Sequence, residues 1–251
     1  MTSSLPLKNK TILVTRPEAM AASLIQHLNQ AGATAQHYPV IHISSIDHSD
    51  NLDFILNNLS NYDIAIFISP TAVQQTLAKA PSLPENLTLA VIGKSTEAVL
   101  KKYGYHAKII PDEFDSESLL LHPDLAADKI ANKSIIIFRG VGGRDLLGNT
   151  LSERGAKVAF AEVYKRDKNT LSSLTKSQLK DIDVLTITSN EGLQNLYDLT
   201  DYKSDLTKLP IIVPGIRAHQ LASSLGFIQI IQASNATDDA CLEALIQHYS
   251  A

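Results

Sequence analysis

A chain of 251 residues, 44% hydrophobic and 19% charged, is long enough for one large or two ordinary domains with cores of their own. Its 22 Lys plus Arg against 26 Asp plus Glu, a formal net charge of −4, exclude a general attraction to nucleic acid or to an anionic membrane, so any anionic ligand has to be captured locally. A lone cysteine, Cys241, excludes an internal disulfide and a thiolate metal cluster; with no signal-peptide core and no apolar run near the roughly 20 residues of a membrane span, a cytoplasmic protein is expected.

Taken in order, the apolar runs predict alternating strands and helices. A strand over 11–15 closes at Arg16-Pro17 and leads into a helix that Gly32 ends. A second strand is predicted over 34–43, a helix over about 50–59, and a strand over 64–68 that enters Ser69-Pro70-Thr71, whose hydroxyls suit helix N-caps. The strand 88–92 breaks at Gly93-Lys94-Ser95-Thr96 into a helix stopped by Gly104, and 106–110 is again strand-like. The run Ile135-Ile136-Ile137-Phe138 empties into Arg139-Gly140-Val141-Gly142-Gly143-Arg144, followed by a helix with Leu146, Leu147 and Leu151, a stop at Gly155 and a strand over 156–164. Beyond it come a strand over 184–188 ending in Ser189-Asn190, a strand over 210–213 ending in Pro214-Gly215, a helix stop at Gly226, a strand over 227–231 and a last helix with Leu242, Leu245 and Ile246.

The two halves repeat one another. Arg16 and Arg139 stand 123 residues apart, as do Gly32 and Gly155; Gly93 and Gly215, Gly104 and Gly226, and Asp115 and Thr237 stand 122 apart, and Ser69 and Ser189 120. The chain thus reads as two copies of one α/β unit with parallel sheets, and right-handed crossovers place every strand-to-helix turn at a carboxyl edge. The candidate ligand-binding groups lie on those turns: Arg16; Ser69 and Thr71; Gly93, Lys94, Ser95 and Thr96; Arg139, Gly142 and Gly143; Ser189 and Asn190; and Gly215. Facing turn edges would form a cleft between two domains. For the glycine-arginine turn at 139–144, an anion site and tight βα packing are both open readings.

Catalytic signatures are sparse. There is no phosphate loop, Gly140-Val141-Gly142-Gly143 lacks the dinucleotide spacing, and the eight histidines show no i, i+4 pair around a carboxylate, so neither cofactor nor metal is expected. Ser69 and Ser189 lack a nucleophile elbow, and N-capping accounts for them. Hydroxyls, backbone N–H groups and arginines suit an extended polyanion held at many points, by an enzyme or by a two-lobed binding protein that does no chemistry.

The ordered set T-R-P, F-I-S-P-T-A-V, V-I-G-K-S-T, R-G-x-G-G-R-x-x-L-x-x-x-L-x-x-x-G-A-x-V, E-V-Y-K-R and T-S-N-E-G-L resembles the uroporphyrinogen-III synthase family over residues 11–245. The resemblance implies two α/β domains, flavodoxin-like halves, joined by a two-stranded antiparallel ladder: residues 1–38 with 167–251 as one domain, 50–158 as the other, and 39–49 and 159–166 as the linkers. It implies closure of linear hydroxymethylbilane to uroporphyrinogen III with inversion of ring D and loss of water, in a monomer that receives its substrate from hydroxymethylbilane synthase, transiently at most. Tyr164, of E-V-Y, matches the tyrosine favoured to assist the departing hydroxyl, a ladder tyrosine packed for structure being the other reading. Thr96 matches the threonine of the family's G-x-x-T-A turn. The second-half copy of that turn departs from the pattern: Gly215-Ile216-Arg217-Ala218 lacks the threonine, and Arg217 is the candidate replacement. Ser69-Pro70-Thr71 likewise stands where S-x-N-A is usual.

Overall fold

A computed structural model describes residues 5–111, 115–169 and 173–250. Its strands are β1 (Thr11–Val14), β2 (Thr34–His37), β3 (Ile41–Ser45), β4 (Ile64–Phe67), β5 (Thr88–Val91), β6 (Ser134–Gly140), β7 (Lys157–Lys168), β8 (Val184–Thr186), β9 (Ile211–Val213) and β10 (Ile230–Gln232). The runs that read as continuous apolar segments are buried throughout, as expected of parallel strands covered on both faces; β4, β8 and β9 are examples.

Three expectations change. The run 34–43 is two strands in two different sheets, because Pro39 supplies no N–H to a ladder and the chain leaves the first sheet there. Of 106–110 only Ile109 pairs, in a parallel bridge to Ala90. The strand expected over 156–164 is longer, the 12-residue β7 that continues through the linker segment 159–166.

The chain divides into two compact units, Met1–His42 with Asp167–Ala251, and Ile43–Arg166. The first holds a sheet in the order β10-β9-β8-β1-β2, with each neighbouring pair parallel. Ranked along the chain this is 2-1-3-4-5, the flavodoxin-like order. The second holds β3-β7-β6-β4-β5, in which β7, β6, β4 and β5 are successively parallel.

The sequence repeat explains the likeness of the sheets. By the residue offsets β6 corresponds to β1, β7 to β2, β4 to β8, β5 to β9, and the Ile109 bridge to β10. Each sheet is therefore assembled from the first half of one copy and the second half of the other, joined at β1 against β8 and at β6 against β4. Those joins are also where successive connections depart in opposite directions, the switch point at which α/β sheets open a crevice outside their carboxyl ends.

Each join is fastened by residues from distant parts of the chain. At β1 and β8 two buried hydroxyls cross: Thr15 Oγ1 donates to the Thr186 carbonyl at 2.6 Å and Thr186 Oγ1 to the Leu13 carbonyl at 3.0 Å. At β4 and β6 the register sets Phe67 beside Phe138, with rings stacked 4.9 Å apart at 11°. Side chains alternate across this join. Ala65, Phe67, Ile136 and Phe138 enter the core on one face, and Ile64, Ile66, Ile135 and Ile137 the core on the other.

Candidate active site

At the carboxyl edge of β4 the chain runs into Ser69, whose extended backbone turns into the helix Pro70–Lys79. Ser69 Oγ accepts the Ala72 N–H at 3.0 Å, and Pro70 occupies a first-turn position where its missing N–H costs nothing. Thr71 is buried. After β5, Gly93 heads the helix Lys94–Lys102, leaving its first N–H groups without a side-chain cap. Lys94 and Ser95 are exposed, but Thr96 is completely buried and its hydroxyl finds no hydrogen-bond partner. Thr96 Oγ1 is thus a buried polar atom left without a partner among the described residues.

The glycine-arginine turn after β6 takes the packing role. Arg139 Nη1 donates to Asp145 Oδ1 at 2.7 Å and to the Gly143 carbonyl at 3.1 Å, Nη2 donates to Glu162 Oε1 at 3.3 Å, and the guanidinium lies 3.9 Å from the centre of the Phe160 ring. Its charge is thus neutralised by its own turn and strand. Gly143 passes close to it, since a β-carbon there would stand 3.2 Å from Arg139 Cδ. Gly142 uses a positive φ of 72° to turn the loop, and the following helix, Leu146–Glu153, starts only after Arg144 and Asp145. The contacts of Arg139 and Gly143 are those of the packing reading of this turn, and the helix itself begins beyond it.

Tyr164 owes its position to an irregularity in the ladder. Partners run regularly from Ser134 with Lys157 to Arg139 with Glu162, and then Gly140 pairs with Tyr164, leaving Val163 as an extra residue. Without that bulge Tyr164 would share a face with Phe160 and Glu162; with it, the ring joins Ala161 and Val163 in the core on the opposite face, only 2% exposed. The ring lies directly against Gly140, where a β-carbon would come within 2.6 Å of Cε2 and 2.7 Å of Cζ. At the far end the phenol meets Ser69 Oγ at 3.2 Å and accepts a hydrogen bond from Arg166 Nη2, also at 3.2 Å.

Ser69, Tyr164 and Arg166 thus converge at the β4/β6 switch point. Gly140 and Arg166 were not among the residues singled out from the sequence. Only the i, i+2 spacing of Arg166 from Tyr164 on an extended segment hinted at the second, and the need for a bare α-carbon at Gly140 depends on a ring from another strand.

In the other unit Arg16 is 8% exposed and spent internally: Nη1 pairs with the Asp238 carboxylate and Nη2 donates to the Ala236 carbonyl at 2.9 Å. This binds the β1 turn to the helix Asp238–Ser250. Ser189 repeats the role of Ser69, accepting the Gly192 N–H at 3.0 Å to cap the helix Asn190–Asp198, with Asn190 exposed. Gly215 heads the helix Ile216–Ser224, whose first turn displays Arg217 to solvent. Among the described residues no group of three His, Cys, Asp or Glu side chains is placed to hold a metal ion, and no helix is long and apolar enough to cross a membrane.

A profile described as uroporphyrinogen-III synthase HemD matches residues 22–243. The chain belongs to the uroporphyrinogen-III synthase family. Uroporphyrinogen-III synthase of Escherichia coli K12 is 33% identical over 249 residues, an alignment covering 94% of this chain and 99% of that protein. The enzyme of Salmonella typhimurium LT2 is likewise 33% identical with the same coverage. Two solved structures share the fold at 14% identity. Uroporphyrinogen-III synthetase of Helicobacter pylori 26695 gives a TM-score of 0.62, covering 95% of this chain and 99% of its own. A mutant uroporphyrinogen III synthase of the extremely thermophilic bacterium Thermus thermophilus gives 0.61, covering 96% and 97%. Membership of the uroporphyrinogen-III synthase family thus extends over nearly the whole chain, and both α/β units fall within it.

Proposed function

We propose that this chain is a cyclising lyase of tetrapyrrole and heme synthesis, closing hydroxymethylbilane to uroporphyrinogen III with inversion of ring D and loss of water. The observation that carries the reading is family membership over nearly the whole chain, combined with a phenol held beside a hydroxyl and a guanidinium at a switch point, the place where α/β sheets bind ligands.

The chemistry needs a proton at one oxygen and a fixed arrangement of the two ends of the substrate. Protonation of the terminal hydroxyl by Tyr164 lets the C–O bond break, releasing water and leaving an azafulvene-type cation and a phenolate. The substituted α-carbon of ring D attacks the cation to give a spiro intermediate. The old bond from that carbon to the ring C bridge breaks and re-forms at the unsubstituted α-carbon of ring D, and the proton lost from that carbon returns to the phenolate. The balance is the loss of one water, and it closes without a cofactor. Holding both ends in register supplies the larger share of the rate, since orientation converts an improbable encounter into a unimolecular closure. The substrate is a polycarboxylate. Exposed Lys94 and Ser95 in one unit, and exposed Asn190 and Arg217 in the other, each at the head of a helix, are the groups we assign to carboxylate binding within their own units.

A cytoplasmic monomer that receives hydroxymethylbilane transiently from its synthase belongs to the same reading. The deciding experiment supplies enzymatically generated hydroxymethylbilane to the purified chain and separates the product isomers. Type III is expected; accumulation of the spontaneous type I isomer alone would leave a polyanion-binding protein without chemistry.

A further inference from the structure

Hydrogen-bond accounting around Tyr164 assigns a role to Arg166. A phenol oxygen has two lone pairs and one proton. Arg166 Nη2 can only donate, so it fills one lone pair at 3.2 Å. Ser69 Oγ uses one of its own lone pairs for the Ala72 N–H, at 3.0 Å, and keeps a second lone pair and its proton; either hydroxyl can donate across the 3.2 Å to the Tyr164 oxygen, and we assign the proton on that axis to Ser69. With Ser69 as donor the second phenol lone pair is filled as well. The remaining group on that oxygen is its proton, and neither neighbour is then left to accept it.

We propose that Arg166 is a positioning residue for the cyclisation: with Ser69 it saturates the acceptor sites of Tyr164, so that the phenol directs its proton to the departing hydroxyl and the resulting phenolate is held by a guanidinium. The proposal rests on Tyr164 being the proton donor in the reaction above. The same two donors face the oxygen before and after transfer, so the phenolate forms without a rearrangement of its surroundings. The guanidinium carbon is 5.6 Å from the centre of the tyrosine ring, beside it in the same strand, and its side chain is exposed. Arg166 therefore approaches from the solvent side and Ser69 from the end of β4, two strands away.

The test is a double-mutant cycle of Arg166→Gln and Tyr164→Phe in the full chain, with kcat and KM for hydroxymethylbilane measured separately and folding checked by circular dichroism. Arg166→Gln is expected to lower kcat by about 10- to 100-fold, the range for losing a hydrogen bond to a charged group, with KM little altered. In the Tyr164→Phe background the same change is expected to have no further effect on kcat, and Arg166→Lys should recover part of the lost turnover. A rise in KM with kcat intact would make Arg166 a substrate carboxylate ligand and overturn the proposal. An equal loss in both backgrounds would overturn it too, because Arg166 would then act independently of the phenol. Unchanged turnover in Tyr164→Phe alone would instead remove the donor itself, a separate failure of the underlying reading.

Discussion

Gly140 and Tyr164 are in contact through an absent side chain: the tyrosine ring occupies the space a β-carbon at 140 would fill, 2.6 Å from Cε2. Gly140 does not have the positive φ of Gly142, so the requirement there is one of room. Gly140→Ala is expected to cost about 1–3 kcal/mol by overpacking and to displace the ring from Ser69. Turnover should fall toward that of Tyr164→Phe. Retained kcat with lowered thermal stability would show that the reaction does not depend on where the ring sits.

Arg16 and Arg139, matching positions of the repeat, are predicted to govern stability, while Arg217 governs binding. Asp238→Ala strands the Arg16 guanidinium, whose side chain is 9% exposed, without its carboxylate. Urea unfolding should register a loss of about 3 kcal/mol, the lower end for breaking a buried pair. A loss under about 0.5 kcal/mol would place the pair among solvent-screened ones.

Arg139→Met and Arg217→Ala should separate in steady-state kinetics. The first removes contacts that Arg139 makes with its own turn, so KM should stay within about twofold while stability drops; the second removes an exposed cation from a helix head and should raise KM about tenfold, as loss of a charge-assisted hydrogen bond does. The reverse pattern would restore Arg139 to the substrate site.

Cys241 is 5% exposed, and burial pushes its thiol up to about 11, with Arg16 pulling in the opposite direction and Asp238 adding to the rise. A raised thiol pKa means the folded state binds the proton more tightly than the unfolded one. The contribution to stability is full below the unfolded value near 9 and declines as pH rises from there to about 11. At about pH 8 the native chain should resist alkylation by iodoacetamide, with modification following the unfolding equilibrium in urea. Rapid labelling of the native protein would contradict this burial.

Phe138→Ala should cost about 3–5 kcal/mol, since the ring is fully buried and stacked on Phe67 across the β4/β6 join. A cycle with Phe67→Leu should show a coupling of about 0.5–1.5 kcal/mol if the stack contributes beyond burial. Additive losses would reduce it to ordinary hydrophobic contact.

Features that depend on a few neighbouring residues were legible in the chain alone. The alternating strands and helices and the serine caps at 69 and 189 follow from residues within about four positions of one another, and the repeat from matching such local landmarks along the chain. So do the helix stops at Gly32, Gly104, Gly155 and Gly226, whose φ angles lie between 82° and 93°. The partners of the functional side chains were not legible, because they lie far along the chain. Arg16 meets Asp238 across 222 residues and Tyr164 meets Ser69 across 95. Composition reads both arginines, Arg16 and Arg139, as ligand groups; only the folded turns show that carboxylates already occupy them. The face that Tyr164 presents depends on a bulge against β6, and a bulge is a property of a pair of strands. The pairing of the first half of one copy with the second half of the other was implied by the family resemblance, and tertiary structure decided its register and the contacts that fasten it. It also selected, from many polar turn residues, the phenol, hydroxyl and guanidinium that meet at one point.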